Sequence, residues 1–174
     1  KGQVVDGGAT LKLSAPKAEL WTDETPKLYD LKLQLLVDGQ VTDTVDSYLG
    51  FRTVEARDGA FFLNGKRVWL CGALDQGYWP QSLYTHPSDE AAIEDIKWVK
   101  RLGLNHIRKH QMVPDPLFLY HCDRLGLLVW GEMANAARWL TPRSTAIAQR
   151  QWLREIQRDY NHPCIVTWVY SNEN

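Results

Sequence analysis

Between residues 28 and 48 apolar side chains recur at almost every second position, whereas beyond about residue 88 they recur every three to four. The run Leu28-Tyr29-Asp30-Leu31-Lys32-Leu33-Gln34-Leu35 therefore predicts a strand with one covered face. Asp38-Gly39 follows it, a pair suited to the two left-handed residues of a tight hairpin, and Gln40 to Tyr48 supplies the returning strand with Val41 and Val45. A further hairpin is predicted at Asn64-Gly65, between Ala60–Leu63 and Arg67–Leu70. No strong helical period precedes residue 88.

Past that point helices and short apolar strands alternate. Ser88 is the predicted cap of a first helix, with Asp89 and Glu90 at its positive end and Ala92, Ile96 and Val99 as its apolar stripe. Lys100 and Arg101 suit its last turn and Gly103 its stop. Asn105–His110 reads as a strand. Asp115-Pro116 opens a second helix that ends near Leu125-Gly126, and Leu127–Trp130 is a buried strand. Ser144 caps a third helix reaching about Tyr160, with Trp152, Ile156 and Tyr160 on its stripe; Ile165–Tyr170 is the strand after it. With Val68–Gly72 counted first, four strands enclose three helices. Connections this short imply parallel strands, either half of an eight-stranded barrel or a small open sheet.

Composition narrows the partners more than the fold. The 174 residues are 44% hydrophobic and 24% charged with a net charge of -1, so neither nucleic acid nor an anionic membrane is an expected partner. No apolar run is long enough to span a bilayer. Cys71, Cys122 and Cys164 are widely spaced and odd in number, which predicts buried free thiols rather than zinc ligands or a disulfide framework. Eight tryptophans and seven tyrosines are an unusual number; such rings stack on the apolar faces of sugars, although composition alone favours a core role. Trp79, Trp130 and Trp139 are candidates for a sugar platform, and Trp21, Trp98 and Trp152 for packing.

Polar residues gather at the carboxyl ends of the four strands: Asp75 and Gln76, then Arg108 and His110, then Glu132, then Asn172 and Glu173. That end carries ligands and catalysts in both parallel architectures. His106 and His110 lie about 13 Å apart on a strand, so they are not a helical zinc pair. There is no Gly-x-Ser-x-Gly elbow or phosphate-binding glycine loop, which argues against a small esterase.

Gly50-Phe51-Arg52, Leu63-Asn64-Gly65-Lys66, Asn105-His106-Ile107-Arg108, Cys122 to Val129 and Asn161-His162-Pro163 occur in that order and end in Trp168-Val169-Tyr170-Ser171-Asn172-Glu173. From about Trp21 onward the chain resembles glycoside hydrolase family 2, which includes β-galactosidases, β-glucuronidases and β-mannosidases. The resemblance implies an α/β fold. Part of an immunoglobulin-like β-sandwich (residues 1–56) would precede the first half of a (β/α)8 TIM barrel (residues 57–174). It implies a retaining glycosidase with Glu173 as general acid/base and Asn172 at the substrate's 2-hydroxyl. Arg108 would lie beside the nucleophile, with Glu132, His110, Trp130 and Asp75 as further substrate contacts. The nucleophilic glutamate would lie beyond residue 174, leaving the chain alone inactive. Metal-dependent relatives carry Glu-Thr-His where this chain has residues 134–139, so no catalytic magnesium and no cofactor is expected. The implied partner is a β-glycoside, and exposed half-barrel edges imply a tendency to self-associate. A non-catalytic carbohydrate-binding or interaction module is the rival, and the compartment stays open.

Overall fold

A computed structural model of the chain describes residues 2–134 and 141–173. Strands β1 (Tyr29–Val37) and β2 (Gln40–Leu49) form an antiparallel ribbon, in register from Tyr29 opposite Leu49 to Val37 opposite Gln40. Asp38 and Gly39 make its turn with φ of 49° and 80°, as the sequence predicts. The alternating apolar residues are far from covered: Leu33, Leu35, Val41 and Val45 are 41%, 47%, 51% and 52% exposed.

β3 (Val54–Arg57), β4 (Ala60–Leu63) and β5 (Lys66–Val68) form a separate three-stranded meander. Its second turn is the predicted Asn64-Gly65. Its first, Asp58-Gly59, has the same two-residue signature and the same positive φ values, but is not among the predicted hairpins.

The main sheet is parallel, in the order β6 (Gly72–Asp75), β7 (His106–Lys109), β8 (Leu128–Glu132) and β9 (Ile165–Val169). Sequential order with crossovers of one hand puts every helix on the same face, which is the arrangement of a barrel and not of a doubly wound sheet. Among the described residues β6 and β9 each have one strand neighbour. The first parallel strand lies later than the expected Val68–Gly72. Val68 still pairs with Phe61 in the meander, and the chain enters the sheet only at Gly72. A Cβ on Gly72 would collide with the ring and carbonyl of His106, so the glycine is what lets β6 approach β7.

Helices α1 (Asp89–Arg101), α2 (Pro116–Leu125) and α3 (Pro142–Asp159) fill the crossovers. Ser88 and Asp115 cap the first two, accepting the N–H groups of Ala91 and Leu117. α3 begins earlier than expected. Thr141 is its cap, and Ser144 is the third helical residue, closing a reciprocal capping box. Its buried residues are Ala148, Glu155 and Asp159, whereas Tyr160 is 70% exposed. Trp98 is likewise exposed rather than packed, and Cys71 is exposed while Cys122 and Cys164 are buried. Ile107, Val129 and Ile165 of the sheet share one core with Ala92, Ile96, Phe118, Leu119 and Cys122 of the helices.

The preceding segment locks onto the base of this half barrel. Trp21 is fully buried and donates its indole N–H to the Asp123 carbonyl at 2.8 Å. The Tyr48 hydroxyl donates to Asp123 Oδ2 at 2.6 Å, and His162 Nδ1 lies 2.6 Å from the same oxygen. Asp123 Oδ1 accepts the Cys164 N–H at 2.8 Å. Arg52 donates to the carbonyls of Pro163 and Ile165 at 3.1 and 2.7 Å. Both sets of bonds fix the start of β9, the strand that leads to Asn172 and Glu173.

Candidate active site

Side chains alternate along a strand, so His106 and Arg108 share the face of β7 opposite the core residue Ile107. Arg108 is the centre of a bridge across three strands. Its Nε donates to Glu132 Oε2 at 2.5 Å and its Nη2 to Asn172 Oδ1 at 2.9 Å. Glu132 is completely buried, and its other oxygen accepts the Gln111 N–H at 3.0 Å. His110 Nδ1 stands 3.4 Å from that oxygen. Both lobes of the carboxylate are thereby met, which a desolvated charge requires. Trp130 packs its ring 5.0 Å from that of His106 on the same face. Burial pulls the His106 pKa down from 6.5 to about 4, so this imidazole is neutral at physiological pH.

Arg108, Glu132, Asn172, His110 and Trp130 are therefore brought together. Glu173 follows Asn172 at the end of this cluster. It is exposed, with a φ of 55° in the left-handed region that non-glycine residues adopt rarely. Asp75 is not brought to the cluster. It points to the helix-covered side, where Oδ2 meets the buried Lys109 ammonium at 2.5 Å and Oδ1 accepts the Gly77 N–H at 2.7 Å. Parity decides this: Asp75 pairs in register with Lys109, not with Arg108. Trp79 is half-buried in the loop after β6, and Trp139 lies outside the described residues, as does most of the stretch at 134–139. Among the described residues no three His, Cys, Asp or Glu gather as a metal site, and no helix is long and apolar enough to cross a membrane.

Two participants escape the strand-end reasoning. Gln111 contributes only its backbone N–H, from a left-handed turn at φ 54° that its side chain does not announce. Glu155 is 5% exposed with neither carboxylate oxygen hydrogen-bonded among the described residues, and burial beside Asp159 pushes its pKa from 4.5 to about 8. Its signal was available: Glu155 and Asp159 are like charges four residues apart, on the face of α3 that meets the sheet.

Residues 1–52 match the sequence profile of glycosyl hydrolases family 2, and residues 54–174 match that family's TIM barrel domain. The chain belongs to glycosyl hydrolase family 2. Its four parallel strands are the first half of a TIM barrel, and the ribbon before them is part of an immunoglobulin-like sandwich. A β-galactosidase of Pectobacterium atrosepticum is 31% identical over 175 residues, covering 95% of this chain and 17% of that protein. Among solved structures, the β-glucuronidase of Parabacteroides merdae superposes with a TM-score of 0.82 at 27% identity, covering 92% of this chain and 20% of that one. A family 2 β-galacturonidase from Eisenbergiella tayi, bound to galacturonate, gives 0.79 at 32% identity over 92% of this chain and 29% of its own. This family 2 chain thus spans 17% to 29% of the length of these relatives.

Proposed function

We propose that this chain carries the general acid/base of a retaining β-glycosidase, and that Glu173 is that residue. The supporting observation is the Arg108 bridge, which ties Glu132 of β8 to Asn172 beyond β9 and so holds the neighbour of Glu173 at the carboxyl end of the half barrel. Glu173 protonates the leaving glycosidic oxygen in the first step and deprotonates the attacking water in the second. Asn172 holds the sugar's 2-hydroxyl, and Trp130 and His110 line the floor.

Retention needs a second carboxylate roughly 5 Å away as nucleophile. Glu132 does not serve, because its oxygens are engaged by Arg108 and by the Gln111 N–H. The nucleophile comes from the part of the barrel that the longer relatives possess and that these residues do not span. Arg108 stands beside it, positioning Glu132 and Asn172 and offsetting negative charge. The sugar is a pyranose whose C6 group is left open by relatives named for galactose, glucuronate and galacturonate alike.

A panel of aryl β-glycosides assayed on the full-length protein tests this reading. One of them is hydrolysed, and proton NMR shows the β-anomer as the first-formed product. Inversion, or sugar binding without any hydrolysis, contradicts it; the second result returns the non-catalytic module to favour.

A further inference from the structure

The loop between β6 and α1 leaves the sheet at the same end as Asn172 and Glu173, and carries a pair of exposed aromatic rings. Tyr78 is 62% exposed and Tyr84 57%. Their ring centroids are 4.7 Å apart at an interplanar angle of 43°, and their hydroxyls are hydrogen-bonded at 2.6 Å. Between them the chain is stapled. Trp79 N–H donates to the Leu83 carbonyl at 2.6 Å, Leu83 N–H returns to the Trp79 carbonyl at 2.9 Å, and the Ser82 hydroxyl donates to the Thr85 carbonyl. At the base, Gly77 has a φ of 68° and lies so close to the Met112 thioether that a side chain there would collide. The loop is pinned at both ends, yet its two tyrosine rings are more than half exposed.

Exposed rings held in place by backbone bonds offer a pre-arranged flat surface, and the apolar C–H face of a pyranose is a partner that fits one. Position sets which sugar unit this is. β6 and β9 are separated by three strand intervals, roughly 14 Å across the sheet. A unit bound at Glu173 does not reach that far, so the ring at Tyr78 and Tyr84 belongs to another unit of the same chain of sugars.

We propose that Tyr78 and Tyr84 form a stacking subsite for a distal pyranose of an oligosaccharide substrate. The proposal rests on the glycosidase reading above and adds a preference for substrates of more than one sugar unit.

The test uses the full-length protein and its Y78A/Y84A variant. Substrates are the β-linked trisaccharide of the sugar selected by the aryl-glycoside panel and the glycosyl fluoride of that sugar, which has no distal ring. The ratio of kcat/KM for trisaccharide to that for fluoride falls about 10-fold, the worth of one good stacking contact. The Y78F/Y84F variant keeps the rings and loses the hydroxyl pair, and its ratio stays near that of the parent. An unchanged ratio in the alanine variant, or an equal loss in the phenylalanine variant, overturns the subsite. A panel that selects no sugar defeats the glycosidase reading alone. Calorimetric titration with β-1,4-galactotriose then still reports on the platform. Binding about 10-fold weaker in the alanine variant supports it, whereas equal affinity, or no binding by the parent, overturns it.

Discussion

The β1–β2 ribbon and the parallel sheet both carry regular apolar spacing, but only one of them is covered. In the sheet Ile107, Val129 and Ile165 are 2%, 0% and 2% exposed, because each crossover returns a helix onto that face. In the ribbon Leu33, Leu35, Val41 and Val45 keep about half their surface. Its firm attachments are near its open end, where Tyr48 reaches Asp123 and Tyr29 packs edge-on to Phe51 at 5.8 Å. Alternation thus specifies a strand's register and turn, whereas burial needs a second layer. For the parallel sheet's core face that layer lies in the same 174 residues. For the ribbon no such layer lies among the described residues, in keeping with the fraction of its relatives that this chain spans.

The sharpest way to break the contrast is at the joint between the regions. Asp123→Ala removes an acceptor shared by Tyr48, His162 and the Cys164 N–H, all facing a fully buried position. Urea denaturation is expected to show a loss of about 3–5 kcal/mol. A loss under 1 kcal/mol would mean that the two regions are not coupled there.

Next comes pH. Glu155 has a folded pKa of about 8 against an ordinary 4.5, so the native state holds a proton that the unfolded state releases between those values. Its contribution is complete below pH 4.5 and is lost as the pH rises through 8. Glu155→Gln is expected to flatten that decline, gaining on the order of 3 kcal/mol relative to the parent between pH 4.5 and pH 8.5. Parallel stability profiles for the two proteins would refute it. In the ribbon, by contrast, the Lys32–Asp46 pair, 3.4 Å apart, is 63% and 75% exposed.

Thr141→Ala removes half of the α3 capping box and is expected to cost about 1 kcal/mol in the same assay. The smallest effect is the most informative about cover. Val41→Thr on the open ribbon shifts the stability of this chain by less than about 0.5 kcal/mol, but costs more than about 1 kcal/mol in the full-length protein if a second sheet packs on it.

What could be read from the residues follows the same division. Local signals give the bounds of α1 and α2 and two of the three turns that join paired strands, since Ser88, Asp115, Gly103 and Gly126 act through their own backbone neighbours, whereas α3 starts at Thr141 and not at Ser144. The start of the barrel could not be read locally. Val68 and Gly72 are equally strand-like, and only the pairing with Phe61 on one side and the close approach to His106 on the other divides them. The site shows the same limit. Arg108, Glu132 and Asn172 were placed by strand-end position and family resemblance, yet their bridge is a tertiary fact. Strand-end position alone puts Asp75 on the sugar side, while one residue of parity sends it to Lys109. Tyr78 and Tyr84 carry no local signal of their exposure, which is set by how the loop folds.

The central claim is the acid/base role of Glu173, and the leaving-group dependence of Glu173→Ala in the full-length protein tests it most directly. The account predicts a kcat/KM loss of about 10²–10⁴-fold for glycosides with poor leaving groups and a much smaller one for activated aryl glycosides, with azide restoring turnover as a β-glycosyl azide. A loss that is equal across leaving groups and unmoved by azide would contradict it.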